Sequence, residues 1–174
     1  NDLTTQLFTI KREDAQAVKL FTQLQPIFLQ AVEQVVAASV EASGAAKRIQ
    51  KGVGLCGELA GSRRFALFAV YLAGQYGVDF KLAVDTTMVA QLKQFIRFTS
   101  SQEVAKVFHG YATKDPETLN RQVSALVERI ERRIRRTPEH RRLRAQMRFE
   151  SQRHARAQDQ RISGALPMYA LSGW

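Results

Sequence analysis

Few residues in this chain could do chemistry, and their spacing is spare. Cys56 is the only thiol, and His109, His140 and His154 are the only imidazoles. His140 and His154 stand fourteen positions apart with no clustered carboxylates or cysteines beside them, so neither spacing nor ligand type builds a metal site. No HExxH, GxSxG or phosphate-loop motif occurs. Cys56 therefore reads as a small buried residue and His109 as a helix cap or half-buried packing residue, with no catalytic group, metal or cofactor expected. Gly52, Gly54 and Gly57 do spell GxGxxG, but that fingerprint needs a buried strand before it and a β-α-β frame around it. The charged, helical-looking AAKRIQK precedes it instead, which assigns the glycines to close helix packing or a hinge.

What the chain has in abundance is positive charge. It holds 26 Lys and Arg against 16 Asp and Glu in 174 residues, a net +10. The excess is local: Arg121 to Arg161 contains thirteen arginines, no lysine and five acids, which is +8 of the total. Arginine's planar fork grips phosphate and guanine edges where lysine acts as a point charge, so a polyanionic partner is the natural expectation. The competing expectation is a solvated helix face, since Glu128 and Glu131 sit at helical spacing from Arg132 and Arg135. One cysteine excludes an internal disulfide and favours a reducing cytoplasm. The longest apolar run, Phe65 to Ala73, is nine residues, short of the roughly 20 a spanning helix needs, so no membrane is expected.

The elements that would position these residues follow from hydrophobic spacing. Thr4 to Ile10 is rich in β-formers and predicts a short strand, followed by a helix opening at Arg12-Glu13-Asp14. Pro26 starts the next helix, which Gly44 ends. Ala45 to Tyr76 predicts a second helical block, with Ser62 capping a largely buried helix through Phe65, Leu67, Phe68, Val70 and Leu72. Asp79 to Val84 alternates cleanly and predicts a strand. Asp85 and the threonines after it cap a helix, and Ser100-Ser101 cap another. Asp115-Pro116-Glu117 opens a long helix with Val123, Val127, Ile130 and Ile134 along one side, and Thr137-Pro138-Glu139 opens a last one running to about Arg161. The fold class is thus mainly α with one or two short β-strands. The divisions are a helical core over 1–114, with similar strand-helix-turn-helix units at 4–43 and 79–113 offset by 74 residues, an Arg-rich helical arm over 115–161 and an irregular tail over 162–174.

The segments DFKLAV-DTTMVAQLKQFIRF-TSS-QEVAKVFHGY and, less closely, TTQLFTI-KREDAQAVKLFTQLQ-PIFLQAV resemble the ribbon-helix-helix family of DNA-binding regulators. The larger, Arg-tailed architecture is similar to AcaB-type regulators of conjugative plasmids. The resemblance implies an antiparallel ribbon in the major groove of double-stranded DNA, a homodimer, and a cytoplasmic, sequence-specific transcriptional regulator rather than an enzyme. It places Thr5, Thr9, Lys11, Arg12 and Lys81 toward DNA, Ser100 and Ser101 against a phosphate, and Arg132, Arg133, Arg135, Arg136, Arg141 and Arg142 along the backbone. Two other functions fit the same charge: an RNA-binding or relaxosome-type accessory protein, and a helical assembly or adaptor protein whose seam is the Val123 to Ile134 stripe. No small-molecule ligand is expected.

Overall fold

The structure is a computed structural model that describes residues 2–9, 23–45 and 52–142. It divides into two compact units, 1–133 and 134–174. Of the second, only 134–142 is described, and it includes a helix that restarts at Pro138 after a turn at Arg136.

The first unit opens with α1 (Asp2–Phe8) and α2 (Pro26–Ala45). The strand expected over 4–10 is therefore a helix. Its β-forming threonines express only a weak preference, and tertiary burial overrides it: Thr4 is buried, and α1 packs on α2. Helix α2 begins at Pro26, where the missing N–H costs nothing, and buries Phe28, Leu29, Val32 and Val36 at helical spacing. The expected helix from Arg12 lies outside the described residues.

Strand β1 (Val53–Leu55) falls inside the stretch that hydrophobic spacing assigned to helix. It pairs in parallel with β2 (Phe80–Leu82), placing Val53 opposite Phe80, Gly54 opposite Lys81 and Leu55 opposite Leu82. A parallel pair cannot be closed by a tight turn, so the chain crosses over through a 3₁₀ turn (Glu58–Gly61) and α3 (Arg63–Tyr76). Ser62 stands at the N-cap of α3 as its position predicts, although its side chain makes no capping hydrogen bond. Gly77, in the left-handed region at φ 62°, stops the helix and donates its N–H to the Ala73 carbonyl at 3.0 Å.

The β-α-β arrangement overturns the antiparallel ribbon. Strand β2 does form within 79–84, but its partner is β1, and the proposed first unit begins with a helix. The internal repeat at a 74-residue offset fails at its opening element.

Helix α3 is buried on nearly every side from Phe65 to Ala69, as a central helix must be. Around it pack α2, α4 (Thr86–Arg97) and α5 (Ser101–Phe108), and Arg63 in its first turn pairs with Glu131 of α6 (Pro116–Arg135). Phe68 is the hub, with ring centroids 5.2 Å from Phe108, 5.3 Å from Tyr111 and 6.0 Å from Phe65. Such edge-on and tilted pairs add to the burial of each ring. Beside them, the Glu33 carboxylate accepts from the hydroxyls of Tyr76, at 3.0 Å, and Tyr111, joining α2 to α3 and to the 3₁₀ turn Tyr111–Thr113. Burial, then this carboxylate, pushes the Tyr111 hydroxyl well above the usual phenol range.

Asn120 on α6 fastens the segment before α2. Its Oδ1 accepts from the Leu24 N–H at 2.9 Å, and its Nδ2 donates to the Leu24 carbonyl at 2.8 Å and to the Pro116 carbonyl at 2.7 Å. Both Leu24 and Asn120 are buried. Asn120→Ala leaves the two Leu24 backbone groups unpaired and is expected to cost about 3 kcal/mol. Urea unfolding checks this: the midpoint should fall at unchanged slope, and a loss under about 0.5 kcal/mol would refute the assignment.

Candidate functional site

Alternation along the two short strands gives the sheet two unlike faces. Phe80 and Leu82 turn toward the helices, while Gly54 and Lys81, paired across the ladder, are exposed on the other face. No atom lies within 4 Å of where a Gly54 side chain would begin, so the ground beside the Lys81 stem is open. Continuing the same period places Cys56, just past the carboxyl end of β1, on the side of Gly54. Cys56 is exposed, contrary to the buried role its type implies. Gly57 follows at φ 95°, a conformation that side chains rarely adopt, and bends the chain from the strand into the 3₁₀ turn. The N-terminus of α3 comes next, with Arg63 and Arg64 and no acid in its first turn.

The GxGxxG glycines are thus neither a dinucleotide loop after a strand nor a helix contact: β1 lies within the motif itself. Gly54 clears a sheet face and Gly57 makes the exit turn. The carboxyl ends of parallel strands, with helix N-termini beside them, are where open α/β sheets take their ligands. At this end the chain exposes a thiol shortly before a helix N-terminus, while the Lys81 stem leans back toward the amino end of β1, its Cε 3.8 Å from where a Gly52 side chain would begin.

The residues expected at a DNA interface are dispersed. Thr5 is half-buried in α1, and Thr9 is exposed in the turn after it, at φ 52°. Lys11 and Arg12 lie outside the described residues. Ser100 is the N-cap of α5 and Ser101 its first residue, neither near a strand ribbon. Arg132, Arg135, Arg136, Arg141 and Arg142 are exposed, the last four in the second unit.

Arg133 has a structural task. It donates to both carboxylate oxygens of Glu103, at 3.0 and 3.1 Å, and to the Phe98 carbonyl at 3.0 Å, tying α6 to the α4–α5 turn. Arg63 likewise pairs with Glu131 and lies 6.0 Å from the Phe95 ring centroid. Val123 and Ile130, offered above as a partner seam, are fully buried in the chain's own core. His109 is exposed at the C-cap of α5, where its N–H donates to Ala105.

The fold and site define a helix-rich β-α-β unit with an open strand end that exposes a thiol. A family model described as PEP-utilising enzyme, PEP-binding domain, matches residues 1–101 and so spans α1 to α4, both strands, Cys56 and Lys81. The chain belongs to this family of phosphoenolpyruvate-utilising enzymes. It is also 30% identical over 119 residues to a phosphoenolpyruvate-protein phosphotransferase of Buchnera aphidicola subsp. Schizaphis graminum. That alignment covers 66% of this chain and 19% of the relative. No solved structure matches.

Membership corrects the functional expectations drawn from charge. The ribbon-helix-helix and plasmid-regulator resemblances, DNA-binding transcription regulation, double-stranded DNA as partner and the exclusion of an enzyme are all overturned by the family match. The RNA-binding and adaptor alternatives gain no support from it. The whole arginine-rich arm lies beyond residues 1–101, so a charge count drawn mainly from that arm says little about the matched region. Among the described residues no helix is long and apolar enough to cross a membrane.

The Arg133 contact makes a testable statement about pH. Its hydrogen bonds hold the Glu103 carboxyl below the usual carboxylate range. A depressed folded-state value means the contribution is present above the unfolded carboxylate value and is lost as pH falls through the folded one. The thermal midpoint of Glu103→Gln should therefore lie below that of the parent at pH 7, with the gap closing steadily toward pH 3. A gap that stays constant or widens in acid would show that the ion pair is not its source.

Proposed function

We propose that this chain binds phosphoenolpyruvate at the carboxyl end of its parallel strands, as part of an enzyme that transfers the phosphoryl group, and that Cys56 handles the proton at C3. The observation that carries the proposal is the exposed thiol of Cys56 beside the open Gly54–Lys81 face, inside the region matched by the PEP-binding family. Phosphoenolpyruvate is a compact polyanion. The acid-free N-terminus of α3, with Arg64 in its first turn, supplies a positive locus for it.

When the bridging P–O bond breaks, the phosphoryl group passes to an acceptor and the electron pair remains on the enolate. The enolate becomes pyruvate only when C3 takes a proton. A thiol can donate it, forming the C3–H bond and leaving thiolate, and the reverse transfer activates pyruvate for phosphorylation. A reducing, cytoplasmic setting would keep this lone thiol free for the purpose.

Because the chain spans 19% of the relative it matches, binding and proton exchange are the properties to test first. Proton NMR should show saturable, phosphoenolpyruvate-dependent shifts at Cys56 and Arg64. Arg64→Gln should weaken binding by about tenfold. In deuterated buffer the chain should catalyse exchange of the pyruvate methyl protons, and Cys56→Ala should slow this by at least about a hundredfold while leaving phosphoenolpyruvate affinity intact. Exchange that survives in Cys56→Ala would remove the thiol from the mechanism, and absence of saturable shifts would remove the site.

A further inference from the structure

A cavity of about 330 Å³ opens between α3, β2 and α4, on the helix-packed side of the sheet and away from the Gly54–Lys81 face. Its existence follows from residue size. Along this side α3 presents small residues, Ala69 and Ala73, toward the large side chains Phe80 and Leu82 of β2. Ile96 of α4 also lines it and remains 37% exposed, so the mouth of the cavity has an apolar rim. A bound water needs two to four polar partners, which these walls lack, so water inside is poorly held and readily displaced. The volume lies at the small end of the range for ligand pockets.

Every side chain lining the cavity is apolar except one, Lys93. Lys93 is exposed and makes no hydrogen bond or ion pair among the described residues. Its neighbours at helical spacing are Val89, Ala90, Ile96 and Arg97, so no carboxylate on its own helix neutralises it. An apolar hollow with one uncompensated cation selects for a molecule of matching polarity. A polyanion such as phosphoenolpyruvate has no apolar body to fill it, and a neutral hydrocarbon leaves the ammonium group without a partner.

We propose that this cavity is a binding site for a small amphiphilic monoanion, a short alkyl carboxylate whose chain lies among Ala69, Ala73, Phe80 and Leu82 and whose carboxylate meets the Lys93 ammonium. The site is separate from the strand-end site and does not depend on what binds there.

The test titrates the 174-residue chain with octanoate, and with octanol as the neutral analogue, following methyl resonances by NMR and heat by calorimetry. Octanoate should bind saturably at one site, with shifts concentrated on the methyl groups of α3, β2 and α4 that line the cavity. Ala73→Leu, which fills the hollow, should abolish binding while the circular dichroism spectrum stays that of the parent. Lys93→Gln lies on the surface, keeps the cavity, and should weaken octanoate by about three- to fivefold while leaving octanol unchanged. Should Ala73→Leu fail to fold, the shift map and the Lys93→Gln comparison still decide. Absence of saturable binding, shifts centred elsewhere, or equal effects of Lys93→Gln on octanoate and octanol would each overturn the proposal.

Discussion

Two strands that run side by side in the same direction must be joined by a chain segment long enough to return to the starting end. That segment must also hide its own apolar surface. Here the requirement falls on α3, and the rest of the first unit is arranged to meet it. Phe65, Ala66, Leu67 and Phe68 are consecutive and fully buried, so no face of the helix is left for water at this point. Helices α2, α4, α5 and α6 exist, energetically, as the walls that make such burial possible. Each large side chain enclosed there contributes on the order of 1.5–3 kcal/mol, and the rings around Phe68 set the angles at which the walls meet. With the crossover enclosed, β1 and β2 are held parallel, and the exposed position of Cys56 just past β1 follows from that register.

Much of this was legible from residue order, and the failures have physical causes. Pro26, Ser62, Asp85, Ser100 and Asp115 all mark helix starts, because proline geometry and N-terminal capping are local effects that tertiary structure seldom changes. The buried helix through Phe65 to Leu72 was equally clear. Strand β1 was not. It has three residues, one of them glycine, which is too short for a period of two to register against the helical spacing around it. Alternation identified β2 and its core-facing side but carries no information about which strand lies beside it, and so an antiparallel ribbon was inferred where a parallel pair exists. In α1, two threonines and a phenylalanine expressed a strand preference worth a few tenths of a kcal/mol, less than docking against α2 supplies.

The candidate site was missed for a different reason. A lone cysteine is most often buried, and nothing in its type shows that it follows a strand and faces outward. The surrounding glycines fit a nucleotide-binding spacing, a helix contact or a hinge equally well on sequence, and only the strand between them shows that Gly54 clears a sheet face. Charge was the loudest signal and the least diagnostic. Arg63 and Arg133 hold acidic groups on neighbouring helices, so part of what looks like an external field is internal tethering. Net charge describes how a surface attracts ions in general and says little about the family to which a chain belongs.

The register of β2 has an evolutionary corollary. Because successive side chains point to opposite sides, displacing this strand by one position against β1 would bring Phe80 and Leu82 into water and thrust Lys81 among the hydrocarbon walls of α3 and α4. Both faces would be spoiled in a single event. Gly77 and the few residues joining α3 to β2 are therefore expected to resist gain or loss of even one amino acid, although most surface connections tolerate such changes. In descendants of this chain, length there should drift more slowly than composition.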